Sequence, residues 1–216
     1  MRPAARSAVL FALVLSGALA ALALDPAKLR AAYLGFVADA PPARFSTWLE
    51  LVAAVRRAAA AEQVERVNEF FNARLRFVDD TVLYGLADYW ATPMETLARA
   101  AGDCEDYAIA KYFTLVGAGV PVQKLRLTYV RARIGAAYQA HMVLAYYEHP
   151  DAEPLIMDNL VPAPMPASRR PDLLPVFNFN SEGVDEIGPG RKASHSISRL
   201  SRWQDTLKRA RDEGFD

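Results

Sequence analysis

The hydrophobic positions change period partway along the chain. Up to about residue 117 the apolar side chains recur at intervals of three and four, the spacing of helices with one buried face. From residue 125 to residue 160 they alternate or run in short apolar blocks, as strands do. Asp25-Pro26 reads as an N-cap and first-turn proline, opening a short helix to about Phe36. Pro41-Pro42 breaks the chain, and 43–75 favours helix, with Trp48, Val52, Val55, Val64, Val67, Phe70 and Phe71 forming a core stripe. Residues 78–91 read as a loop or short turns carrying Tyr84, Tyr89 and Trp90.

Thr92-Pro93-Met94-Glu95 is a capping-box pattern, and its helix should end near Gly102. A second helix starts at once. Asp103 is placed to cap it and Asp106 stands at the box position. Gly117, Gly119 and Pro121 end it. Strands follow at 125–134, 138–147 and 154–160, with turns at Gly135 and His149-Pro150-Asp151. Such short connections predict an antiparallel meander. Residues 161–197 are rich in Pro, Ser and Gly and read mostly as loop, with one more strand at 176–179. A charged helix over 199–213 turns Trp203 and Leu207 inward. The pattern gives one α+β domain over 24–216, N-terminal helices packed on an antiparallel sheet.

Composition narrows the function. The chain carries 25 basic and 25 acidic residues, so nothing in its charge favours a nucleic-acid partner. Residues 1–23 have the form of a secretory signal: Arg2 and Arg6, an apolar stretch from Val9, and small-residue cleavage sites at Ala18-Leu19-Ala20 and Ala21-Leu22-Ala23. No other apolar run reaches spanning length, so stable membrane insertion of the mature chain is not expected.

Export makes the single cysteine informative. Cys104 has no internal disulfide partner and lies at a helix start, the position that best stabilises a thiolate. A thiol nucleophile needs a base, and the base needs a group to fix its tautomer. Of three histidines, His149 lies in a turn and His195 in a polar loop; only His141 lies in a strand. The next strand carries Asp158 within an apolar run, and a buried aspartate needs a partner. Antiparallel pairing about a turn near 149–150 sets position 141 opposite 158. Cys104, His141 and Asp158 are therefore the candidate catalytic residues.

Val67-Asn68-Glu69-Phe70-Phe71-Asn72, Asp88-Tyr89-Trp90-Ala91-Thr92-Pro93 and Gly102-Asp103-Cys104-Glu105-Asp106-Tyr107-Ala108-Ile109-Ala110-Lys111-Tyr112 resemble the bacterial transglutaminase-like, papain-related cysteine proteases of the LapG type. Ala140-His141-Met142-Val143-Leu144, Met157-Asp158-Asn159-Leu160 and Asp172-Leu173-Leu174-Pro175-Val176 continue the resemblance over roughly 40–180. It implies a calcium-dependent periplasmic endopeptidase. It implies cleavage of the N-terminal region of a large surface adhesin at a di-alanine site, which disperses biofilm. It also implies sequestration by an inner-membrane cyclic-di-GMP receptor. Cys104 matches the nucleophile, His141 the base and Asp158 the orienting acid. Asp103 and Glu105 match calcium positions, and Asp106 is a further ligand candidate.

The residues make an independent case for calcium. Carboxylates beside a thiol oppose its ionisation, and a bound hard cation removes that opposition. Without a cation, Asp103 and Asp106 merely cap the helix and Glu105 complements its dipole. Two rival functions remain: a transglutaminase that passes the acyl group to an amine, and a non-catalytic calcium-dependent binding module.

Overall fold

The structure, a computed structural model, describes residues 24–186 and 196–215. The expected signal segment and His195 lie outside them. Helix α1, Pro26–Phe36, is capped as its sequence requires: Asp25 accepts hydrogen bonds from the Ala27 and Lys28 N–H groups. The expected helix over 43–75 is two helices, α2 (Pro42–Val55) and α3 (Ala60–Arg74). The chain turns between them so that Trp48 and Val55 on one, and Val64, Val67 and Phe71 on the other, enter the same core. A straight helix could not bury both faces against one neighbour.

Residues 76–102 hold β1 (Arg76–Phe77), the single-turn α4 (Asp80–Leu83), α5 (Pro93–Arg99) and β2 (Ala101–Gly102). Only half of the Thr92 capping box forms. Thr92 Oγ1 accepts from the Glu95 N–H, but the Glu95 carboxylate turns to Tyr89 and Arg99. Helix α5 stops short of Gly102 because Ala100 takes a left-handed φ of 50°. Ala101 and Gly102 then pair in parallel with Arg76 and Phe77.

Helix α6 (Cys104–Gly117) is the centre of the fold and is buried continuously from Asp106 onward. It packs between α3 and α5 and against the sheet. Among the described residues that sheet has six strands in the order β6-β5-β4-β3-β7-β8, every neighbouring pair antiparallel. They are β3 (Leu125–Ile134), β4 (Ala137–Tyr146), β5 (Leu155–Met157), β6 (Met165–Pro166), β7 (Leu173–Phe179) and β8 (Val184–Glu186). The meander holds through β3, β4 and β5. The chain then crosses over, so β7 pairs with the far side of β3, and β8 adds an edge in a stretch expected to be loop. Helix α7 (Ser196–Glu213) closes the core. Trp203 is buried against Phe179 and Phe113, and Leu207 packs beside it. Trp90 is core as well, stacked on Phe179.

Candidate active site

The register of β4 and β5 differs from the expected one. Leu144 faces Met157 and Tyr146 faces Leu155, which continues to Asp158 opposite Val143 rather than His141. The connection runs two residues longer than a turn centred at 149–150 allows. A slip of two keeps each side chain on its own face of the sheet, so the intended contact survives on the diagonal. His141 Nε2 lies 2.8 Å from Asp158 Oδ1, and both residues are buried.

Strand β5 covers β4 only over residues 144–146. The β4 edge at 141–142 is thus free of β5, and the Met142 backbone N–H points there at the Cys104 sulfur. Cys104 is the first residue of α6. The structure therefore brings Cys104, His141 and Asp158 to the middle of β4, just beyond where β5 stops covering it. His149 stands in an exposed turn.

Asp158 has a second partner that sequence reasoning missed. Arg170 Nη2 donates to Asp158 Oδ2 at 2.7 Å and to Asp172 at 2.8 Å. Burial alone would raise the Asp158 carboxyl. The His141 hydrogen bond and charge, the Leu160 N–H and the Arg170 hydrogen bond outweigh it and hold the group at about 2. Its need for a partner was readable, but Arg170 sits in a loop with no period to place it.

The acids beside Cys104 behave differently from simple caps. Asp103 occupies the N-cap position but makes no side-chain cap hydrogen bond. Asp106 stands at the box position, where the Asp103 backbone N–H favours its ionised carboxylate, and its Oδ1 also accepts from the Ala91 N–H at 2.9 Å, tying the preceding loop to α6. Glu105 Oε2 accepts from the Cys104 thiol at 2.9 Å. On the protein's own charges the thiol is pushed well up, by burial first, then by the Glu105 carboxylate and Asp103, with the Met142 N–H opposing.

Asp80, also missed, completes the cluster. It opens α4 within what read as loop, and its ligand atom lies within 4.8 Å of those of Asp103 and Asp106. Asp80 Oδ1, Asp103 Oδ1 and Asp106 Oδ2 are all buried and without a hydrogen-bond partner. Burial pushes Asp80 up to about 6, offset in part by the Tyr89 N–H and reinforced by Glu105. Asp103 is pushed up to about 10 by burial, Glu105, Asp106 and Asp80. Three clustered carboxylates, each with a buried oxygen that lacks a hydrogen-bond partner, are hard donors that fit a calcium-sized cation. Asp88 lies beside Asp80 and Glu105, but its oxygens already accept from Trp90 and Arg202.

The family model of the bacterial transglutaminase-like cysteine proteinases matches residues 31–169. A structure of Legionella pneumophila LapG is 38% identical, with a TM-score of 0.72, over 88% of this chain and 99% of that one. The EGTA-treated form of that protein aligns at 38% identity and a TM-score of 0.73 over 88% and 100%. Its calcium-bound form aligns at 38% and 0.71 over 86% and 99%. No curated protein matches. The chain belongs to the bacterial transglutaminase-like cysteine proteinases.

Proposed function

We propose that this proteinase is a calcium-dependent periplasmic endopeptidase acting through Cys104, His141 and Asp158. Its proposed substrate is the N-terminal region of a large surface adhesin, cut at a di-alanine site, with release of the adhesin dispersing biofilm. An inner-membrane cyclic-di-GMP receptor sequesters the protease when the nucleotide is abundant. The observation that carries the catalytic reading is the His141–Asp158 hydrogen bond beside the only thiol in the chain. The substrate, compartment and receptor rest on likeness to the LapG-type proteases. Among the described residues no helix is long and apolar enough to cross a membrane.

The mechanism follows from donors and acceptors. Asp158 engages Nε2 of His141, leaving Nδ1 to exchange a proton with sulfur. Nδ1 takes the Cys104 proton, sulfur bonds to the peptide carbonyl carbon, and the oxyanion faces the Cys104 backbone N–H at the start of α6. The C–N bond breaks as His141 returns that proton to the leaving amine. A water, deprotonated by His141, hydrolyses the thioester, and the proton goes back to sulfur. Asp158, held ionised by Arg170, keeps the imidazole oriented throughout.

Calcium would be held by Asp80, Asp103 and Asp106, with Glu105 at its margin. When bound it neutralises the carboxylates that keep the Cys104 thiol protonated. The test is to mix the mature protein with the N-terminal segment of a co-encoded large adhesin, with calcium and then with chelator, in the presence of a labelled amine. Cleavage only with calcium, abolished in Cys104→Ala, supports the proposal. Incorporation of the amine in place of hydrolysis makes the enzyme a transglutaminase instead.

A further inference from the structure

Lys111 is buried completely, yet lies on the same helix as Cys104, two turns further on. Its ammonium donates to Asn68 Oδ1 and Asn72 Oδ1 of α3, each at 2.8 Å. An ammonium has only donors, so both amide oxygens must face it and both amide NH2 groups must face away. Those NH2 groups donate to carbonyls that only accept. Asn72 Nδ2 reaches the Asp158 oxygen at 2.8 Å and the Val161 oxygen at 3.1 Å, and Asn68 Nδ2 reaches Pro162 at 3.0 Å. Polarity therefore runs one way, from a buried cation through two amides into the backbone of the segment that carries Asp158.

We propose that Lys111 is a positioning residue for catalysis: through Asn68 and Asn72 it ties the 158–162 segment to the helix of Cys104, and so sets Asp158 and His141 relative to sulfur. A purely apolar contact could fill this space without the cost of burying a cation. That cost is visible: burial brings the Lys111 ammonium down to about 7, with the charge of Asp158 opposing. What an apolar residue could not do is dictate which way the two amides point. If both flipped, each would turn its oxygen toward the Asp158 segment and release it. The inference rests on the Cys104–His141–Asp158 reading above.

The experiment compares Asn72→Asp and Lys111→Met with the wild type in calcium. Asn72→Asp keeps an oxygen for Lys111, and hence the tie between α3 and α6, but sets a second oxygen against the Asp158 carbonyl. Cys104 is the only cysteine, so iodoacetamide alkylation reports it alone. The second readout is the 15N-resolved signal of the His141 Nε2–H. Both variants are expected to slow alkylation between tenfold and about a hundredfold, the scale of a small misplacement of catalytic groups. The His141 signal should shift or broaden, with folding intact in Asn72→Asp. If Lys111→Met does not fold, Asn72→Asp decides alone. Wild-type alkylation and an unmoved His141 signal in Asn72→Asp overturn the inference, whatever happens to the melting temperature. A His141→Ala control separates the two readings: if it alkylates as fast as wild type, the triad reading itself falls.

Discussion

Arg170 and His141 hold opposite oxygens of Asp158, at 2.7 and 2.8 Å, so neither oxygen of that buried carboxylate is free to change its role. The carboxylate is locked in orientation as well as in charge. This is a tighter arrangement than a histidine and an acceptor alone would need.

Asp158→Asn is therefore not conservative here. The amide oxygen can still accept from His141, but its NH2 then confronts the guanidinium of the buried Arg170, donor against donor. Removing one partner of a buried charge pair costs about 3 kcal/mol or more. Urea unfolding should show that loss, and cleavage should fall with it. Arg170→Gln introduced into Asp158→Asn should restore part of both, since an amide oxygen can replace the lost acceptor. Failure of the double variant to recover either quantity refutes the two-sided lock.

The same carboxylate shapes acid stability. Its folded value of about 2 lies below the ordinary 3.8 of an aspartate. A depressed group stabilises the fold above its unfolded value and loses that contribution as pH falls through the folded one. The window is pH 4 to 2, and its depth is roughly 2 kcal/mol at 1.36 kcal/mol per unit. Unfolding free energy measured across that range should fall less steeply in Asp158→Ala than in the wild type. Parallel slopes would show that Asp158 is not depressed.

How much of this was legible depended on whether a feature was local. Helix starts at Asp25 and Thr92 follow from adjacent residues, and both caps form. His141 was found by elimination among three histidines and Asp158 as an acid within an apolar strand, and the two-residue error in register cost nothing because strand faces have a period of two. Asp80 and Arg170 were not legible: each lies in an aperiodic segment and acquires its role from residues more than ten positions away. Lys111 was hidden for the opposite reason. It falls in a strongly apolar helix, where a lone lysine reads as a solvated side chain, and only the two asparagines of α3 reveal it as buried.

Gly102 is predicted to tolerate no side chain. A Cβ there would stand 2.5 Å from Asp106 Oδ2 and 2.6 Å from Asp106 Cβ, on a fully buried residue that cannot swing away. Overpacking of this kind costs about 1–3 kcal/mol. Gly102→Ala should lower the melting temperature and displace Asp106 from the Ala91 N–H, weakening calcium binding as well. Gly35→Ala is the contrast: its Cβ meets nothing within 4 Å inside α1, so helix propensity should make it neutral or stabilising by up to about 1 kcal/mol. Equal effects at both positions would contradict the packing argument.

Asp80→Asn tests the unexpected member of the acid cluster. The asparagine oxygen can keep the bond from the Tyr89 N–H, while one negative charge is removed from beside Asp103 and Asp106. With chelator present, the variant should melt above the wild type because repulsion and desolvation are relieved. With calcium present, it should gain less. Calcium titrations followed by thermal unfolding check both, and an undiminished calcium response excludes Asp80 as a ligand.

Glu105 links the cation site to the thiol, because its Oε2 accepts from Cys104 Sγ at 2.9 Å and its charge is the strongest influence on that thiol after burial. In Glu105→Gln the charge is gone and the oxygen remains, so the thiolate becomes easier to form without any cation. Each unit of thiol shift is worth a factor of about ten in thiolate at a pH below its value. Alkylation of Cys104 in chelator should therefore rise severalfold over wild type, and added calcium should change it little. Wild type should show the reverse, slow in chelator and accelerated by calcium. A Glu105→Gln protein that is slow in chelator and still accelerated by calcium would place the control elsewhere, in burial or in Asp103, the next carboxylate whose charge raises the thiol.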